Sequence, residues 1–478
     1  MDTKKLRQKI LDLAIHGKLV PQDPNDEPAS VLLERIRAEK EKLIKEGKIK
    51  APKKSKSAGD TSHYPKEGPW ELPRGWVWCH LSDLASFAGG KTPSMDNKDF
   101  WKNGKHLWIT SKDMKSRYLI DSQMKISDTA VREMTVFHPG TILMVNRSGI
   151  LRRTLPLAIL NAEATINQDI KAIVPYLLCI SPYLYYAILS QESFILSEYK
   201  KAGTTVDNIN FDKFISLLIP LPPQKEQDRI VSSINQYFAI IENIDSSQKE
   251  LNTSLEAAKA KILDLAIRGK LVPQDPNEEP AIELLKRINP DFIPSDNLHY
   301  EDIPQSWTVC RLSDVCVDFI VPQRDKPKIF DGDIPWCRIE DIEGKYLNGS
   351  LSGRLVSKKT IQQMNMRICP VGTVICSCSA SIGTQAIVTQ PCCTNQTFIG
   401  LVPDDRFIYN EFLYYFLASQ TEQFLDIGTG TTIKYISREK FEEYRIPLPP
   451  LVEQRRIVER IEYCFLLLKQ IQSATSIC

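Results

Sequence analysis

The sequence predicts an α+β fold in which two globular α/β domains are separated by two long antiparallel helices, a coiled coil with a circular pseudo-twofold repeat. Two observations support this prediction, a repeated segment and a long heptad pattern. KILDLAIHGKLVPQDPNDEPA, at residues 9–29, returns at residues 261–281 with nineteen of twenty-one positions identical. Because the repeat recurs after about half of the 478-residue chain, it indicates two copies of one large unit and not a solenoid.

The heptad pattern predicts one continuous helix near the middle of the chain. Residues of one stripe alternate steps of four and three for five heptads, which is typical of a coiled-coil seam. The seam residues are Ile230, Ile234, Tyr237, Ile241, Ile244, Gln248, Leu251, Leu255, Ala258, Ile262 and Leu265. A helix of about 43 residues would be roughly 65 Å long.

The second long helix is predicted to be completed by the N-terminus. The heptad resumes near the C-terminus as Ile457, Ile461, Cys464, Leu468 and Ile471, which is half the length of the central seam. The N-terminal helix supplies the missing half, since Leu6, Ile10 and Leu13 correspond to Ala258, Ile262 and Leu265 in the repeat. The repeat is therefore circular, with one continuous helix and one in two pieces.

Local patterns predict the remaining elements. Helices are expected over residues 4–16, 27–45, 181–201 and 281–288, with Gly17 as the C′ residue of the first. Runs such as HLWIT and GTILMV predict β-rich globular segments, and each IPLPP is expected to end a sheet and begin a helix. The predicted segments are N-terminal repeat helices (1–46), a flexible basic linker (47–69), a first globular domain (70–222), the central helix and a linker (223–300), a second globular domain (301–449) and the C-terminal helix (450–478).

Composition bounds the class of protein. Hydrophobic residues make up 42% and charged residues 25% of the chain, as in ordinary globular proteins, and the net charge is +2. No apolar run of about eighteen residues occurs, and the amphipathic N-terminus is unlike a signal peptide, so a cytoplasmic location is expected. The twelve cysteines are expected to be reduced, and Cys376, Cys378, Cys392 and Cys393 are interpreted as small buried side chains in preference to a zinc site.

The two halves differ where a recognition protein would differ. The helical segments match almost letter for letter, whereas the globular segments share only anchors such as Trp76/Trp307 and the pairs Asn167-Gln168 and Asn395-Gln396. Different surfaces on one repeated framework suit the reading of two different features a fixed distance apart. Duplex DNA, with a turn of about 34–36 Å, is a ligand of that kind.

Several motifs together carry a family resemblance. They are GGKTP at residues 89–93 followed by WKNGKHLWITSKDM, the paired GT and NQ signatures, both IPLPP-x-x-EQ-x-RI junctions and the duplicated ILDLAI-x-GKLVPQDPN. With these motifs, which extend over nearly the whole chain, the sequence resembles the specificity (S) subunit of type I restriction-modification enzymes.

The resemblance implies a complete set of roles. Each globular domain would be a target-recognition domain that reads one half of an asymmetric bipartite site in double-stranded DNA. The long helices would set the spacer and dock two adenine-methylating (M) subunits, and two restriction (R) subunits would join the full complex. No cofactor is expected in this chain, because S-adenosylmethionine belongs to the M subunits, and ATP and magnesium to the R subunits.

Three motifs partly resemble catalytic sites. Asn289-Pro290-Asp291-Phe292 lacks the second proline of the adenine-methyltransferase motif N-P-P-[YF]. Gly89-Gly90-Lys91-Thr92 resembles the end of a P-loop, but position 85 is alanine. Glu343-Gly344-Lys345 matches the carboxylate–lysine pattern of some nucleases, but so short a match is common by chance. The chain is therefore predicted to have no catalytic and no metal-binding residues.

Candidate DNA contacts are basic, hydroxyl and amide residues near turns, because arginine can pair with guanine, glutamine with adenine and lysine with phosphate. They are Lys91, Thr92, Ser111, Lys112, Arg147, Arg152, Arg153 and Gln168 in the first domain, and Arg324, Lys326, Arg338, Lys345, Ser379 and Gln396 in the second. The alternative for each residue is an ordinary surface or fold-stabilising role. Because the NQ pairs recur in both domains, a fold-stabilising role is favoured for them. Trp76, Trp108, Trp307 and Trp336 are interpreted as core residues and not as stacking platforms.

The junction helices provide candidate partner contacts. Glu226, Gln227 and Arg229 recur as Glu453, Gln454 and Arg456 beside the two IPLPP motifs, and we expect them on outer helix faces where M subunits dock. An internal coiled coil that needs no partner is the alternative. For the whole chain, the alternative function is a two-headed adaptor that binds proteins instead of DNA. A self-sufficient methyltransferase is disfavoured because no cofactor loop is visible.

Overall fold

The computed structural model describes residues 2–49, 68–203, 205–296, 300, 302–322, 325–379, 381–429 and 434–477. These form two compact units, residues 2–246 and 247–477. Most of the predicted linker (residues 50–67) and the candidate contact Arg324 lie outside the described residues.

The first unit combines helices with short strands, as the mixed periodicity of its sequence predicts. Its helices are α1 (Thr3–Ile15), α2 (Ala29–Lys45), α3 (Leu81–Leu84), α4 (Asp128–Val131), α5 (Ser181–Leu189), α6 (Glu192–Phe194), α7 (Phe211–Ile215) and the start of α8 (Gln224–Ile267). Its strands are β1 (Val77–His80), β2 (Ala85–Gly89), β3 (His106–Ile109), β4 (Tyr118–Leu119), β5 (Met124–Ile126), β6 (Ile142–Val145), β7 (Arg147–Ser148), β8 (Leu157–Leu160), β9 (Ala164–Ile166), β10 (Ile170–Pro175), β11 (Lys200–Lys201), β12 (Asp207–Ile209) and β13 (Leu218–Leu221).

The second unit repeats most of this succession, without a sheet equivalent to β11-β12-β7 among its described residues. Its helices are the end of α8, α9 (Ala281–Ile288), α10 (Leu312–Val315), α11 (Lys358–Gln363), α12 (Asn410–Ser419), α13 (Thr421–Ile427), α14 (Arg438–Glu442) and α15 (Leu451–Ile477). Its strands are β14 (Thr308–Arg311), β15 (Cys316–Ile320), β16 (Ile334–Cys337), β17 (Tyr346–Leu347), β18 (Leu355–Val356), β19 (Val374–Ser377), β20 (Gln385–Val388), β21 (Cys393–Thr394), β22 (Phe398–Pro403) and β23 (Arg445–Leu448).

Sheet topology confirms that the two globular domains are copies. The five-stranded sheet has the order β2-β10-β6-β8-β4 in the first unit and β15-β22-β19-β20-β17 in the second, which is the same order of equivalent strands. The small sheets β5-β3-β9 and β18-β16-β21 also correspond. In each of them a central strand runs parallel to the strand that carries the NQ motif after its end. Trp76, Trp108, Trp307 and Trp336 are all buried, as predicted.

The helical framework agrees with the predicted circular repeat. The central helix α8 has 44 residues. In the first unit α1 is antiparallel to α8, because Arg7 bonds Asp245 at 3.0 Å whereas Gln22, further along the chain, bonds Glu226 at 3.3 Å. In the second unit α15 is the antiparallel neighbour, where Gln472 donates to Asn252 at 3.3 Å.

Apolar packing connects each helix pair to its own globular domain. In the first unit Ile10 belongs to the same buried cluster as Ile230 and Ile234 of α8. In the second unit Ile457 and Ile461 share a cluster with the end of α8. The α1 helix therefore does for the first unit what the end of α8 does for the second, and the start of α8 corresponds to α15.

Two seam residues were predicted wrongly, Tyr237 of α8 and Ile471 of α15, which is 48% exposed. Tyr237 is 46% exposed, although the heptad places it on the buried stripe. Its neighbour Phe238 is partly buried and packs edge-to-face on Tyr186 of the globular domain, with ring centroids 5.8 Å apart. Phe238 packs on Tyr186 of α5 and lies under Arg7 of α1, so α8 has two different neighbours at this point and a strict coiled-coil period no longer applies.

Two local predictions also need correction. The helix expected over residues 181–201 breaks after Leu189 into α6 and a π-helical turn, because the Gln191 side chain donates to the carbonyl oxygens of Ala187 and Leu218 and ties the chain to β13. The first IPLPP does not stop the sheet at its first proline. Pro220 lies within β13, a strand of a two-stranded sheet where a missing N–H is tolerated.

Candidate nucleic-acid interface

In the first unit, two parallel strands place candidate contacts side by side. Strand β3 ends at Ile109 and β9 at Ile166, and the Asn167 backbone N–H donates to the Ile109 carbonyl oxygen at 3.0 Å. Ser111 and Lys112 follow β3, and the exposed Gln168 follows β9. The NQ motif therefore has two parts, since Asn167 is buried and joins the strands while Gln168 faces outward.

The GGKTP loop closes on the same edge. The Lys91 N–H donates to the Ile166 carbonyl oxygen at 3.1 Å, and the Thr92 hydroxyl donates to Gln168 Oε1 at 2.5 Å. Gly90 permits this approach, because a Cβ at that position would lie 1.9 Å from the Ile166 oxygen. The structure therefore assembles Lys91, Thr92 and Gln168 into one surface.

The arginine candidates border this surface. The backbone N–H groups of Asn146 and Arg147 donate to the Asp169 carbonyl oxygen at 2.8 and 3.1 Å, which holds the exposed Arg147 beside the NQ turn. Arg152 and Arg153 are exposed and lie at the end of the 3₁₀ turn that follows β7. Arg152 is 3.8 Å from the carboxylate of Asp207, so part of its charge is compensated.

A half-buried aspartate shapes the turn after β3. Asp113 Oδ2 accepts the backbone N–H and the hydroxyl of Thr110, both at 2.8 Å, and its Oδ1 accepts the Gln123 N–H at 2.8 Å. Sequence reasoning missed this residue as a site element. Its recurrence as the aspartate of TSKDM and RIEDI was the available signal.

The second unit builds the same edge with different side chains. Asn395 N–H donates to the Cys337 carbonyl oxygen at 3.1 Å, as Asn167 does to Ile109. Asp341, only 2% exposed, accepts the N–H groups of Arg338 at 2.7 Å and Leu351 at 2.8 Å. Arg338 thus occupies the position of Thr110, and its guanidinium also pairs with Glu340.

Three further second-unit candidates lie at positions equivalent to those of the first unit. Gln396 is exposed after β21, and Ser379 follows β19 at the position of Arg147. Lys326 is exposed in the loop after β15, the counterpart of the GGKTP loop.

Lys345 is the exception, and its assignment as a DNA contact is wrong. Its side chain is 14% exposed and is held between the carboxylates of Glu411 and Glu462. A lysine already neutralised by two carboxylates has little charge to offer to phosphate.

The predicted partner contacts at the helix junctions are mostly internal. Glu226, Gln227, Glu453 and Gln454 are all buried, so the expectation that they lie on an outer face is wrong. Arg229 and Arg456 are about one-third exposed, and they pair with Asp26 and Glu278 of the same units.

The buried carboxylates belong to two equivalent polar networks. Glu226 accepts the indole N–H of Trp76 at 3.0 Å, and Glu453 accepts that of Trp307 at 2.9 Å. Burial raises the pKa of both carboxyls above the usual range, and the indole hydrogen bonds offset part of that rise. Gln22 and Gln274 of the repeated segments also donate to these carboxylates, so the networks anchor the starts of α8 and α15 both to the globular domain and to the repeat.

Structural roles also account for residues of the motifs that partly resemble catalytic sites. Phe292 of the Asn289–Phe292 motif is buried in the second core, and Lys345 of the Glu343–Lys345 motif is held between Glu411 and Glu462. Cys376, Cys378, Cys392 and Cys393 are buried, and burial raises the pKa of the Cys376 thiol to about 12. Among the described residues, no group of three or more His, Cys, Asp or Glu side chains could hold a metal ion. Within the same ranges, no helix is long and apolar enough to cross a membrane.

Sequence comparison identifies the family. The model of the family described as "Type I restriction modification DNA specificity domain" matches residues 73–253 and 304–474. The chain belongs to this family. The two matched segments each contain one globular domain and one junction helix, so the family unit and the structural repeat coincide.

Individual relatives agree with this assignment. The Escherichia coli "Type I restriction enzyme EcoAI specificity subunit" is 26% identical, with 96% of this chain and 88% of the relative aligned. The E. coli EcoEI specificity subunit is 25% identical over 98% of this chain and 90% of its own length. A solved structure titled for complex assembly and conformational transition of the type I R-M system covers 85% of this chain and 94% of its own, with a TM-score of 0.61 at 19% identity, which supports the fold.

Proposed function

We propose that this chain is the noncatalytic DNA-sequence-recognition subunit of a type I restriction-modification complex. The observation that carries this proposal is the pair of equivalent strand edges with unlike side chains. Backbone bonds at the two edges match, from Asn167 to Ile109 and from Asn395 to Cys337. The equivalent side chains differ, Thr110 against Arg338, Lys112 against Glu340 and Arg147 against Ser379. Matched scaffolds with different donors and acceptors suit two different half-sites.

Each target-recognition domain reads one half of an asymmetric bipartite site in duplex DNA. Exposed arginine and glutamine side chains contact base edges, and exposed lysines such as Lys91, Lys112 and Lys326 contact phosphates. Because the loops that carry these side chains are attached to a rigid sheet edge, the side chains keep fixed positions relative to the DNA grooves. Segments 70–222 and 301–449 are the two recognition domains in this scheme.

The helical segments serve the rest of the complex. The helices set the spacer between the half-sites and dock two methyltransferase subunits, and two restriction subunits complete the assembly. S-adenosylmethionine belongs to the methyltransferase subunits, and ATP with magnesium to the restriction subunits, so this chain works without a cofactor, in the cytoplasm. The buried junction networks exclude Glu226 and Glu453 as docking side chains, which leaves the exposed faces of α8 and α15 for partners.

Genome-wide mapping of methylated adenine tests the proposal directly. The map is compared with this gene present and deleted, in cells that express the methyltransferase partner. We expect loss of one bipartite, asymmetric motif on deletion, which would define both half-sites and the spacer. An unchanged map would contradict the recognition role, and pull-down of proteins by the two globular domains would then test the adaptor alternative.

Replacing Lys112 by alanine is expected to weaken DNA binding equally for all sequences. Loss of one phosphate contact should lower the slope of log affinity against log salt concentration by about 0.9. Fluorescence anisotropy of the complex with methyltransferase subunits, at several salt concentrations, measures this slope. Lys359→Ala, an exposed lysine of α11, is the matched control. Equal slopes for the two variants would remove Lys112 from the interface.

A further inference from the structure

Two cations occupy equivalent positions at the edge of the two five-stranded sheets. Arg117 precedes β4 and Lys345 precedes β17. Each of these short strands pairs in parallel with the equivalent strand of its own unit, β4 with β8 (Tyr118 opposite Ile159) and β17 with β20 (Tyr346 opposite Ile387). The sequences SRYLI and GKYLN mark the equivalence. Neither cation faces the recognition edge, and each instead contacts the long helix of its own unit.

Arg117 joins three parts of the first unit. Its Nη1 donates to the Tyr186 hydroxyl of α5 at 2.7 Å and to Asn235 Oδ1 of α8, and Tyr186 also donates to Asn235 at 2.7 Å. The guanidinium carbon lies 4.4 Å from the ring centre of Tyr186 and 4.7 Å from that of Tyr118. Its Nε and Nη2 are buried and have no hydrogen-bond partner in the described part of the chain, so the aromatic rings are their environment.

Lys345 makes the corresponding connection in the second unit. Its ammonium bonds Glu462 of α15 and lies 3.1 Å from Glu411 Oε1 of α12 and 5.0 Å from the Tyr415 ring centre. The Tyr415 hydroxyl bonds the same Glu462 oxygen at 3.4 Å. Burial acts to lower the pKa of Lys345, but its bonds to the two carboxylates outweigh this and raise the pKa above the usual range. The ammonium therefore stays charged.

The equivalence extends to the tyrosine and the long-helix partner of each cation, whereas Glu411 has no counterpart, since Pro182 stands at its position. Asn235 and Glu462 follow the last proline of their IPLPP motifs by the same twelve residues, and Tyr186 and Tyr415 are the second tyrosines of matching LYY sequences. Tyr186 packs on Phe238 at 5.8 Å and Tyr415 on Phe465 at 5.9 Å, both edge-to-face. A cation, a tyrosine and a polar helix residue thus recur as one device, hereafter the clamp.

We infer that Arg117 and Lys345 are positioning residues whose clamps hold each recognition domain at a fixed angle to its helix and thereby determine which half-site spacing the chain accepts. The inference rests on the proposed function. A spacer longer by one base pair moves a half-site about 3.4 Å along the duplex and turns it by roughly 35°. A domain held rigidly on its helix discriminates against that change, whereas a domain that can rock on the helix tolerates it.

The test measures spacer discrimination by the full chain assembled with methyltransferase subunits. Methylation rates are compared on duplexes with the cognate spacer and with spacers one base pair shorter and longer. For Arg117→Met and Lys345→Met we expect the preference for the cognate spacer to fall by roughly tenfold, with base preferences in both half-sites unchanged. Arg117→Lys and Lys345→Arg should retain part of the preference. Arg132→Met and Lys359→Met, at exposed positions, are matched controls.

Three outcomes separate this inference from simpler explanations. Unchanged spacer preference in variants that keep the wild-type melting temperature would overturn the clamp inference, and so would an equal loss of rate on all duplexes, which marks a purely structural role. If a methionine variant fails to assemble, Glu462→Gln and Asn235→Leu, which keep the cations, must show the relaxed preference, or the inference fails. Absence of any bipartite preference in the wild-type complex would instead overturn the proposed function itself.

Discussion

Replacing Trp307 by phenylalanine is expected to lower the free energy of unfolding of the second unit by about 3 kcal/mol at neutral pH. Glu453 is fully buried, with Oε2 bonded to the Trp307 indole and Oε1 to the Gln274 amide at 2.6 Å. Phenylalanine has no indole N–H, so the buried Oε2 of Glu453 loses its hydrogen-bond donor. The cost of an unsatisfied buried charge exceeds the cost of the lost ring atoms.

The loss should depend on pH in a direction set by the Glu453 pKa. Burial raises that pKa above its usual 4.5, so the native state disfavours the charged form. Well below pH 4.5 the carboxyl is protonated in both states and contributes no penalty. As pH rises through the usual value towards the raised native pKa, the native state loses stability. The indole bond reduces this penalty in the wild type, so the deficit of Trp307→Phe is larger at pH 7.5 than at pH 4.

Urea unfolding followed by hydrogen exchange in α15, at pH 4 and pH 7.5, measures both deficits. Phe416→Leu is the control, because Phe416 is fully buried in the same apolar cluster and its loss should be the same at both pH values. Trp76→Phe, which removes the donor to Glu226, should repeat the Trp307 result in the first unit. A Trp307→Phe deficit that does not change between the two pH values would contradict the role assigned to Glu453.

The long-range pattern was the most predictable part of the fold. Heptad spacing predicted α8 to within a residue or two of its length, and the repeat predicted α9 at its observed bounds, because both are properties of a continuous stripe of apolar residues. The exchange of Tyr237 for Phe238 was not predictable in this way. Which residue is buried there depends on Tyr186, which the fold of the globular domain brings to the helix from more than fifty positions earlier in the chain.

Site residues in turns directly after strands could be placed together from the sequence. The positions of residues whose contacts are far away in the chain could not. The surface formed by Lys91, Thr92 and Gln168 follows from turn residues beside β-rich runs. Glu226 resembled an exposed helix residue because its indole donor lies 150 residues earlier in the chain. Lys345 resembled a free cation for the same reason, since Glu462 is 117 residues away. Local sequence carries no information about contacts of this kind.

Replacing Asp341 by asparagine is expected to lower specific affinity for the bipartite site by roughly thirtyfold, about 2 kcal/mol. The two carboxylate oxygens of Asp341 each accept one backbone N–H, from Arg338 and Leu351. Asparagine offers one oxygen and turns its amino group towards the other N–H, so one charge-assisted bond is lost and two donors face each other. The turn that presents Arg338 should then lose its geometry.

The loss should be confined to one half-site. With duplexes altered in either half, Asp341→Asn should discriminate poorly in the half read by the second domain and normally in the other. Asp113→Asn, which disturbs the turn at Thr110, should show the reciprocal defect. Asp333→Asn, at an exposed position of the second domain, is the control. If Asp341→Asn and Asp113→Asn impair the same half-site, the two domains do not read separate halves, and the pseudo-symmetric division of recognition between these two aspartates is wrong.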